Sequence, residues 1–338
     1  MTTIRDIARQ AGVSVATVSY VLNNGPRSVN AATRQHVLQV MQELNYQPNP
    51  IARRLSLRRT DCLGLALAGL SDSNFSDTFY LEYIRGISFA AEANGFNLLL
   101  LTNHQREESS SYFTALTQSR QMDGLLLLGS SVPDNVLSAI QAGGVPSVLI
   151  ARHTSNPKVY SVSQDYRLGT YTATAHLLQR GYRRIGFLGQ SLQFSYGQER
   201  LAGYQQALTE FAIPLDENLV SIPTSLRDDP SLSEIKTLMS LPKRADALLT
   251  DRELVVLSRL RDLGWNVPQD VALVGLDESE TAGLLEVPLT SLRSPKFEMG
   301  QKAVAMLLQL IAGEKPVSPV FLPMQLVVRA SSPLRSGI

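Results

Sequence analysis

The residues of this chain that could do chemistry are hydrogen-bonding charges rather than a reaction centre. Asp251 directly follows the apolar run 247–250, Asp277 follows 271–276, and Arg200 falls in the first turn of a helical pattern over 198–211. In open α/β lobes ligands bind beyond the carboxyl ends of the strands, where both aspartates would sit. Carboxylates and a guanidinium make paired, charge-assisted hydrogen bonds to neighbouring hydroxyls, so this set suits a polyol. An aspartate after a strand is also a common helix cap, and that reading stands beside the first for each acid. Catalytic motifs are missing: the sequence contains no GxGxxG, GxSxG or HExxH and no phosphate-binding GxxxxGKS or GxxxxGKT. His36, His104, His153 and His176 are scattered, and none pairs with a cysteine or an acid at metal-binding spacing. The expectation is a binding protein and not an enzyme, with no cofactor and no metal.

Positioning such a set takes alternating strands and helices, and the pattern supplies them. From residue 63 short apolar runs alternate with helical segments, the mark of an α/β domain with a parallel sheet. Strands are expected at 63–68, 97–101, 124–128 and 147–150, with helices at 79–94, 108–120 and 134–142. A second cycle places strands at 184–188, 247–250 and 271–276 and helices at 168–179, 198–211, 232–240, 253–263 and 297–311. Two successive sets predict two lobes of similar fold, although no short sequence repeat links them.

The first 46 residues follow a different plan. Ile4, Ile7, Ala8 and Ala11 recur at helical offsets, Gly12 breaks the pattern, and Ser14 can cap a second short helix whose Val15, Val18 and Leu22 would face the first. Two helices with a glycine-containing turn make a helix-turn-helix, whose second helix can enter a major groove. Two small helices packed as ordinary core are the alternative. A 100° step per residue points Ala16, Thr17 and Tyr20 away from the Val18/Leu22 face and leaves Val15 at the exposed N-terminal end. After the turn signal Asn23-Asn24-Gly25-Pro26, Asn30 can cap a third helix carrying Val37, Val40, Met41 and Leu44. Beyond it, Asn49 and Pro50 open a very short helix containing Arg53, Arg54 and Leu55, which is too short to be stable unless packed against something.

Charge separates the two plans. Residues 1–60 hold eight arginines against Asp6 and Glu43, a net of +6, so the chain's total of +1 leaves −5 for the rest. A small basic segment on an acidic body is expected when only that segment meets phosphate. At 338 residues the chain exceeds one hydrophobic core, and two or three domains are expected. No apolar run reaches the roughly 18 residues of a membrane span, and Asp6 and Arg9 interrupt what would be a secretory leader. The lone Cys62 forbids an intrachain disulfide and fits a reducing compartment. A cytoplasmic protein is the expectation. A transport-associated solute-binding protein would carry an export signal where this chain carries its basic helices.

The segments TIRDIARQAGVSVATVSYVLN, YQPNPIARRL, MDGLLLL, RGYRRIGFLG, ERLAGYQQAL and VPQDVALVGLDES followed by LTSLRSPKFEMGQKAV resemble, in order and over nearly the whole chain, the LacI/GalR family of bacterial transcriptional regulators. The resemblance implies a multidomain chain: an all-α helix-turn-helix head plus an α/β periplasmic-binding-protein-like core of two Rossmann-like lobes. It divides the chain into a DNA-binding domain at 1–46, a hinge helix and linker at 47–60, a core N-subdomain at 61–163 plus 294–322, and a C-subdomain at 164–293 plus 323–338. It also implies a repressor whose operator affinity responds to a small molecule between the lobes, a sugar or sugar derivative. The implied partners are a pseudo-palindromic double-stranded operator, the effector and a second copy of the chain as homodimer, with no membrane; the protein would be nucleoid-associated when bound to DNA.

Residue by residue, the resemblance puts Val15, Ala16 and Tyr20 at base-reading positions and Ser14, Thr17 and Ser19 at phosphate contacts. Asn30 joins this surface. Leu55 is the residue that two-fold-related hinge helices insert into a minor-groove step, with Arg53 and Arg54 near phosphates. Tyr20 departs from the arginine or histidine common there. In the cleft the resemblance points to Arg200, Asp251 and Asp277, with Asp165 between the lobes and the aromatic pair Phe79 and Tyr80, one of which would stack on a ligand face.

Overall fold

A computed structural model describes residues 2–23, 29–46, 59–67, 80–101, 110–129, 134–154, 156–223 and 232–335. It falls into two compact units, Met1–Asp61 and Cys62–Ile338.

In the first unit, helix α1 (Ile4–Gln10) begins at a reciprocal cap. The Thr3 hydroxyl accepts from the Asp6 amide at 3.4 Å, and the Asp6 carboxylate accepts from the Thr3 amide at 3.0 Å. That acid was not singled out in the sequence, although T-x-x-D before an apolar run is the signal for it. Gly12 adopts φ +63°, the left-handed turn that ends α1 and that any side chain would strain. Ser14 then caps α2 (Val15–Asn23), its hydroxyl accepting from the Thr17 amide at 3.0 Å. Asn30 caps α3 (Ala31–Glu43) through Oδ1, which accepts from the Thr33 amide at 2.7 Å. The core is Ile7, Ala8, Ala11, Val18, Val21, Val37, Val40 and Met41. Val15 does not join it. Val15 is 43% exposed while Val21 is buried, because the inward stripe of α2 runs from Val18 to Val21 with Leu22 at its edge. Burying each valine or isoleucine is worth roughly 1.5–3 kcal/mol, and eight mostly small side chains leave little surplus over chain entropy. The caps therefore matter to this unit more than they would to a larger one.

The second unit holds two six-stranded sheets. In the first, β1 (Cys62–Leu67), β2 (Asn97–Leu101), β3 (Gly124–Leu128), β4 (Ser147–Ile150), β5 (Tyr160–Gln164) and β11 (Val320–Leu322) run in the order β11-β5-β4-β3-β1-β2, parallel throughout. In the second, β6 (Ile185–Leu188), β7 (Val220–Ser221), β8 (Ala247–Thr250), β9 (Ala272–Gly275), β10 (Thr290–Arg293) and β12 (Gln325–Val327) run β12-β10-β9-β8-β6-β7, with β12 antiparallel. The central strands β1, β3, β6, β8 and β9 read as nearly unbroken apolar runs because helices cover both faces of a parallel sheet and both must be dry. Helices α4 (Leu81–Ala93), α5 (Ser110–Gln118) and α6 (Asp134–Ala142) belong to the first sheet.

The chain crosses between the sheets three times. Helix α7 (Tyr166–Gln179) leaves β5 and packs on the second lobe's α8 (Ser195–Glu210). Helices α9 (Leu232–Ser240) and α10 (Glu253–Asp262) complete that lobe before α11 (Lys296–Ile311) leaves β10 and packs back against α4 in the first. The last crossing joins β11 to β12. Helix α8 starts three residues before the expected 198, at Ser195, whose hydroxyl donates to the His153 carbonyl at 3.1 Å. Arg200 therefore lies in the second turn of α8 and not the first.

Candidate functional sites on the head and in the interlobe cleft

On the head, the outward face of α2 presents Val15 and Ala16 exposed, with Thr17, Ser19 and Tyr20 half-buried beside them. The hydroxyls of Ser14 and Thr17 lie 2.9 Å apart. One donates to the other, which leaves a single O–H of the pair to offer a phosphate. Asn30 spends its Oδ1 on the α3 cap, so any contact it makes to DNA falls to its amide nitrogen. Arg34, one of the eight arginines behind the basic charge, donates to the Val21 carbonyl at 3.1 Å and ties α3 to α2. Val15 and Ala16 carry no hydrogen-bonding side chain, so they can meet only thymine methyls or permit close approach. Arg53, Arg54 and Leu55 lie outside the described residues.

In the second unit a cleft of about 710 Å³ is walled by Asp251, Asp277, Glu278 and Arg329 of one lobe and by Glu82, Lys296 and Phe297 of the other. It opens at the carboxyl ends of β8 and β9. In the order β7-β6-β8 the strand sequence reverses beside β6, the place where open sheets leave a crevice.

Asp251 lines the cleft, and the buried Arg200 pairs with it from behind. The Arg200 Nη1 donates to Asp251 Oδ2 at 2.9 Å, and the two side chains are 5% and 7% exposed. The second guanidinium nitrogen reaches the Leu276 carbonyl at 3.4 Å, and the cation lies 5.0 Å from the centroid of the Tyr166 ring. Burial pushes the Asp251 pKa up, and the adjacent guanidinium works against that rise without cancelling it. Arg200 itself is held more firmly protonated: burial disfavours its charge, but Asp251 and then Tyr166 and Asp277 outweigh the loss. Asp251 is not the cap of α10. That position is taken by Arg252, whose amide donates to the Thr250 hydroxyl at 3.1 Å.

Asp277 is paired across the cleft. Lys296, at the start of α11 in the other lobe, lies 3.1 Å from its Oδ1, and the Ser294 hydroxyl donates to the same oxygen at 3.3 Å. A second contact between lobes joins His153 Nε2 to Glu199 Oε1 at 2.9 Å. A third runs from the Tyr166 hydroxyl to the Ala151 carbonyl at 2.9 Å. At the rim Glu278 accepts from both Arg293 and Arg329, which hold its carboxyl below the usual range although burial acts the other way.

Among the sequence-derived positions, Arg200, Asp251 and Asp277 come together. Asp165 is a helix cap: its Oδ1 accepts from the Leu168 amide at 2.9 Å and starts α7. Tyr80 sits at the N-cap of α4, one residue before the helix begins, and packs against the core of its lobe, and Phe79 lies outside the described residues. Lys296, Ser294, Glu278, Tyr166 and Arg329 were missed. The helix was expected from 297, one residue after Lys296, and the place of Lys296 opposite Asp277 depends on the second crossing, which no local pattern encodes.

Residues 3–49 match the family described as "Bacterial regulatory proteins, lacI family", and residues 174–332 match a "Periplasmic binding protein-like domain". The chain is 34% identical over 339 residues to the HTH-type transcriptional regulator CelR of Thermobifida fusca, covering 97% of this chain and 98% of that one. The chain belongs to the LacI family. It is a DNA-binding transcriptional regulator, and its head and two-lobed core are the family's two parts. The solved complex of CelR with cellobiose covers 98% of this chain and 100% of its own, with 32% identity and a TM-score of 0.72. The lac repressor dimer bound to operator and the anti-inducer ONPF covers 98% and 99%, with 25% identity and a TM-score of 0.76. Among the described residues no helix is long and apolar enough to cross a membrane, and no group of histidine, cysteine and acid residues could hold a metal ion.

Proposed function

We propose that this LacI-family regulator is a homodimeric repressor of a pseudo-palindromic operator, and that a polyhydroxylated small molecule bound between the core lobes sets its affinity for DNA. The observation that carries the reading is a cleft of about 710 Å³ lined by Asp251, which the buried Arg200 backs, with Asp277 and Lys296 facing each other between the lobes. Such a set offers donors and acceptors in pairs, the pattern of vicinal hydroxyls. The solved CelR relative, which has the same architecture, is a cellobiose complex. The proposed division is head 1–46, hinge 47–60, N-subdomain 61–163 plus 294–322, and C-subdomain 164–293 plus 323–338.

On this reading Tyr20 reads a base edge, Ser14, Thr17, Ser19 and Asn30 contact phosphate, and Leu55 wedges a minor-groove step with Arg53 and Arg54 near phosphates. The hinge folds on the operator, and lobe closure on the effector changes the spacing of the two hinge starts. Each ligand then alters the affinity for the other. The protein works without catalysis and in the cytoplasm, associated with the nucleoid when bound to DNA. A calorimetric and thermal-shift screen of sugars, sugar phosphates and nucleobases tests the cleft. Saturable binding of a sugar that Asp277→Asn and Arg200→Met abolish supports the reading, and binding by none of the three classes contradicts it.

A further inference from the structure

The cleft carries more than hydrogen-bonding capacity; it carries a sign. Six carboxylates line it against three cations, and each of those cations is already engaged. Arg293 and Arg329 both donate to Glu278, and Lys296 faces Asp277 at 3.1 Å. The buried guanidinium behind Asp251, that of Arg200, is 2.9 Å from it. On the cleft wall Glu280 and Glu298 are exposed, and among the described residues neither has a cation within ion-pair distance. Among the described residues Glu82 pairs with Arg85, whose side chain is 65% exposed and gives little compensation. A phosphate or carboxylate entering here would meet carboxylates first and would have to break an existing ion pair to gain a partner. A hydroxyl meets no such barrier, because acceptor-rich walls suit its donors.

We infer that the effector is an uncharged or amino-bearing sugar, and that phosphorylated and acidic sugars are excluded by the charge of the cleft. The inference rests on the reading of the cleft as an effector site and adds the ligand's sign to it. It assigns a selectivity role to Glu82, Glu280 and Glu298 of the cleft wall.

The test is isothermal titration of the full-length protein with matched sugars: a neutral mono- or disaccharide, its 6-amino counterpart, its 6-phosphate and its uronic acid, at low and at high salt. Neutral and amino forms are expected to bind, and the anionic forms at least tenfold more weakly. That gap narrows as salt screens the wall, and it narrows again in the Glu82→Gln/Glu280→Gln/Glu298→Gln protein. A circular-dichroism melt establishes that the variant is folded. An anionic form that binds as tightly as its neutral partner, or a gap that neither salt nor the triple variant moves, overturns the inference and leaves the cleft reading standing. Failure of every sugar to bind, whatever its charge, overturns both.

Discussion

Replacing Arg200 by methionine should unmask Asp251 as a pH-dependent liability. The pair is 2.9 Å apart, and its side chains are 5% and 7% exposed. The guanidinium is the largest of the groups that compensate the buried carboxylate, ahead of Arg252. At an effective dielectric of about 20, two unit charges about 4 Å apart attract by roughly 4 kcal/mol, and removing one partner of a buried pair costs about 3–5 kcal/mol. Methionine keeps most of the volume, so the loss is electrostatic and not a cavity. Burial already holds the Asp251 pKa above 3.8 against the pull of Arg200, and in the variant it rises further. A carboxyl whose folded pKa lies above its unfolded value binds its proton more tightly when folded. Its contribution to stability therefore declines as pH rises from the unfolded value through the folded one. Urea unfolding of the core should show Arg200→Met destabilised by about 3–5 kcal/mol at pH 7 and much less near pH 4.5. The double variant Arg200→Met/Asp251→Asn should recover most of the loss and flatten the difference. A loss below about 1 kcal/mol, the range of exposed pairs, or a loss that does not change with pH, would refute the argument.

On the head, Ser14→Ala removes the α2 cap and should cost about 1 kcal/mol, read as faster amide exchange in the first turn of α2 with the core's unfolding unchanged. Tyr20→Phe should remove about 1–3 kcal/mol of discrimination at one operator base pair and leave non-specific affinity in place; uniform weakening on all sequences would make Tyr20 a phosphate contact. His176, beside Ser332 at 2.9 Å, has its pKa lowered from 6.5 to about 4 by burial and then by Arg180. Its folded state resists protonation, so stability should fall as pH drops from 6.5 toward 4. After discount for its partial exposure the effect is about 1–2 kcal/mol, and His176→Gln should abolish that part of the slope in thermal melts.

The sequence made some elements plain and hid others for physical reasons. Gly124–Leu128 and Ala247–Thr250 were legible because both of their faces are dry. Tyr160–Gln164 and Thr290–Arg293 were not, although Ser161, Ser163, Gln164, Thr290 and Ser291 are all buried. Several of their polar groups, though not Ser163 Oγ or Gln164 Nε2, are satisfied at a distance: Gln164 Oε1 accepts from Tyr83, Thr290 from the Arg329 amide, and Ser291 donates to the buried Glu253. That glutamate fits because Gly275 has no Cβ, which would stand 1.5 Å from its carboxylate. Burial of polar strands depends on partners far away in the chain, and an apolar pattern cannot report it. Asp251 and Asp277 were legible because they follow strand ends, and Arg200 came from the family resemblance and not from its place in α8. Lys296 was hidden because its role depends on which lobe α11 returns to.

The central claim is that operator and effector are coupled through this chain. Operator affinity should be measured by fluorescence anisotropy at fixed salt, with and without a saturating sugar that binds the cleft, and the sugar's affinity measured in turn with and without operator. The account predicts the same factor in both directions, at least fivefold in size, and its disappearance in Asp277→Asn. An operator affinity that stays the same at saturating sugar, or a change that persists in Asp277→Asn, would contradict it.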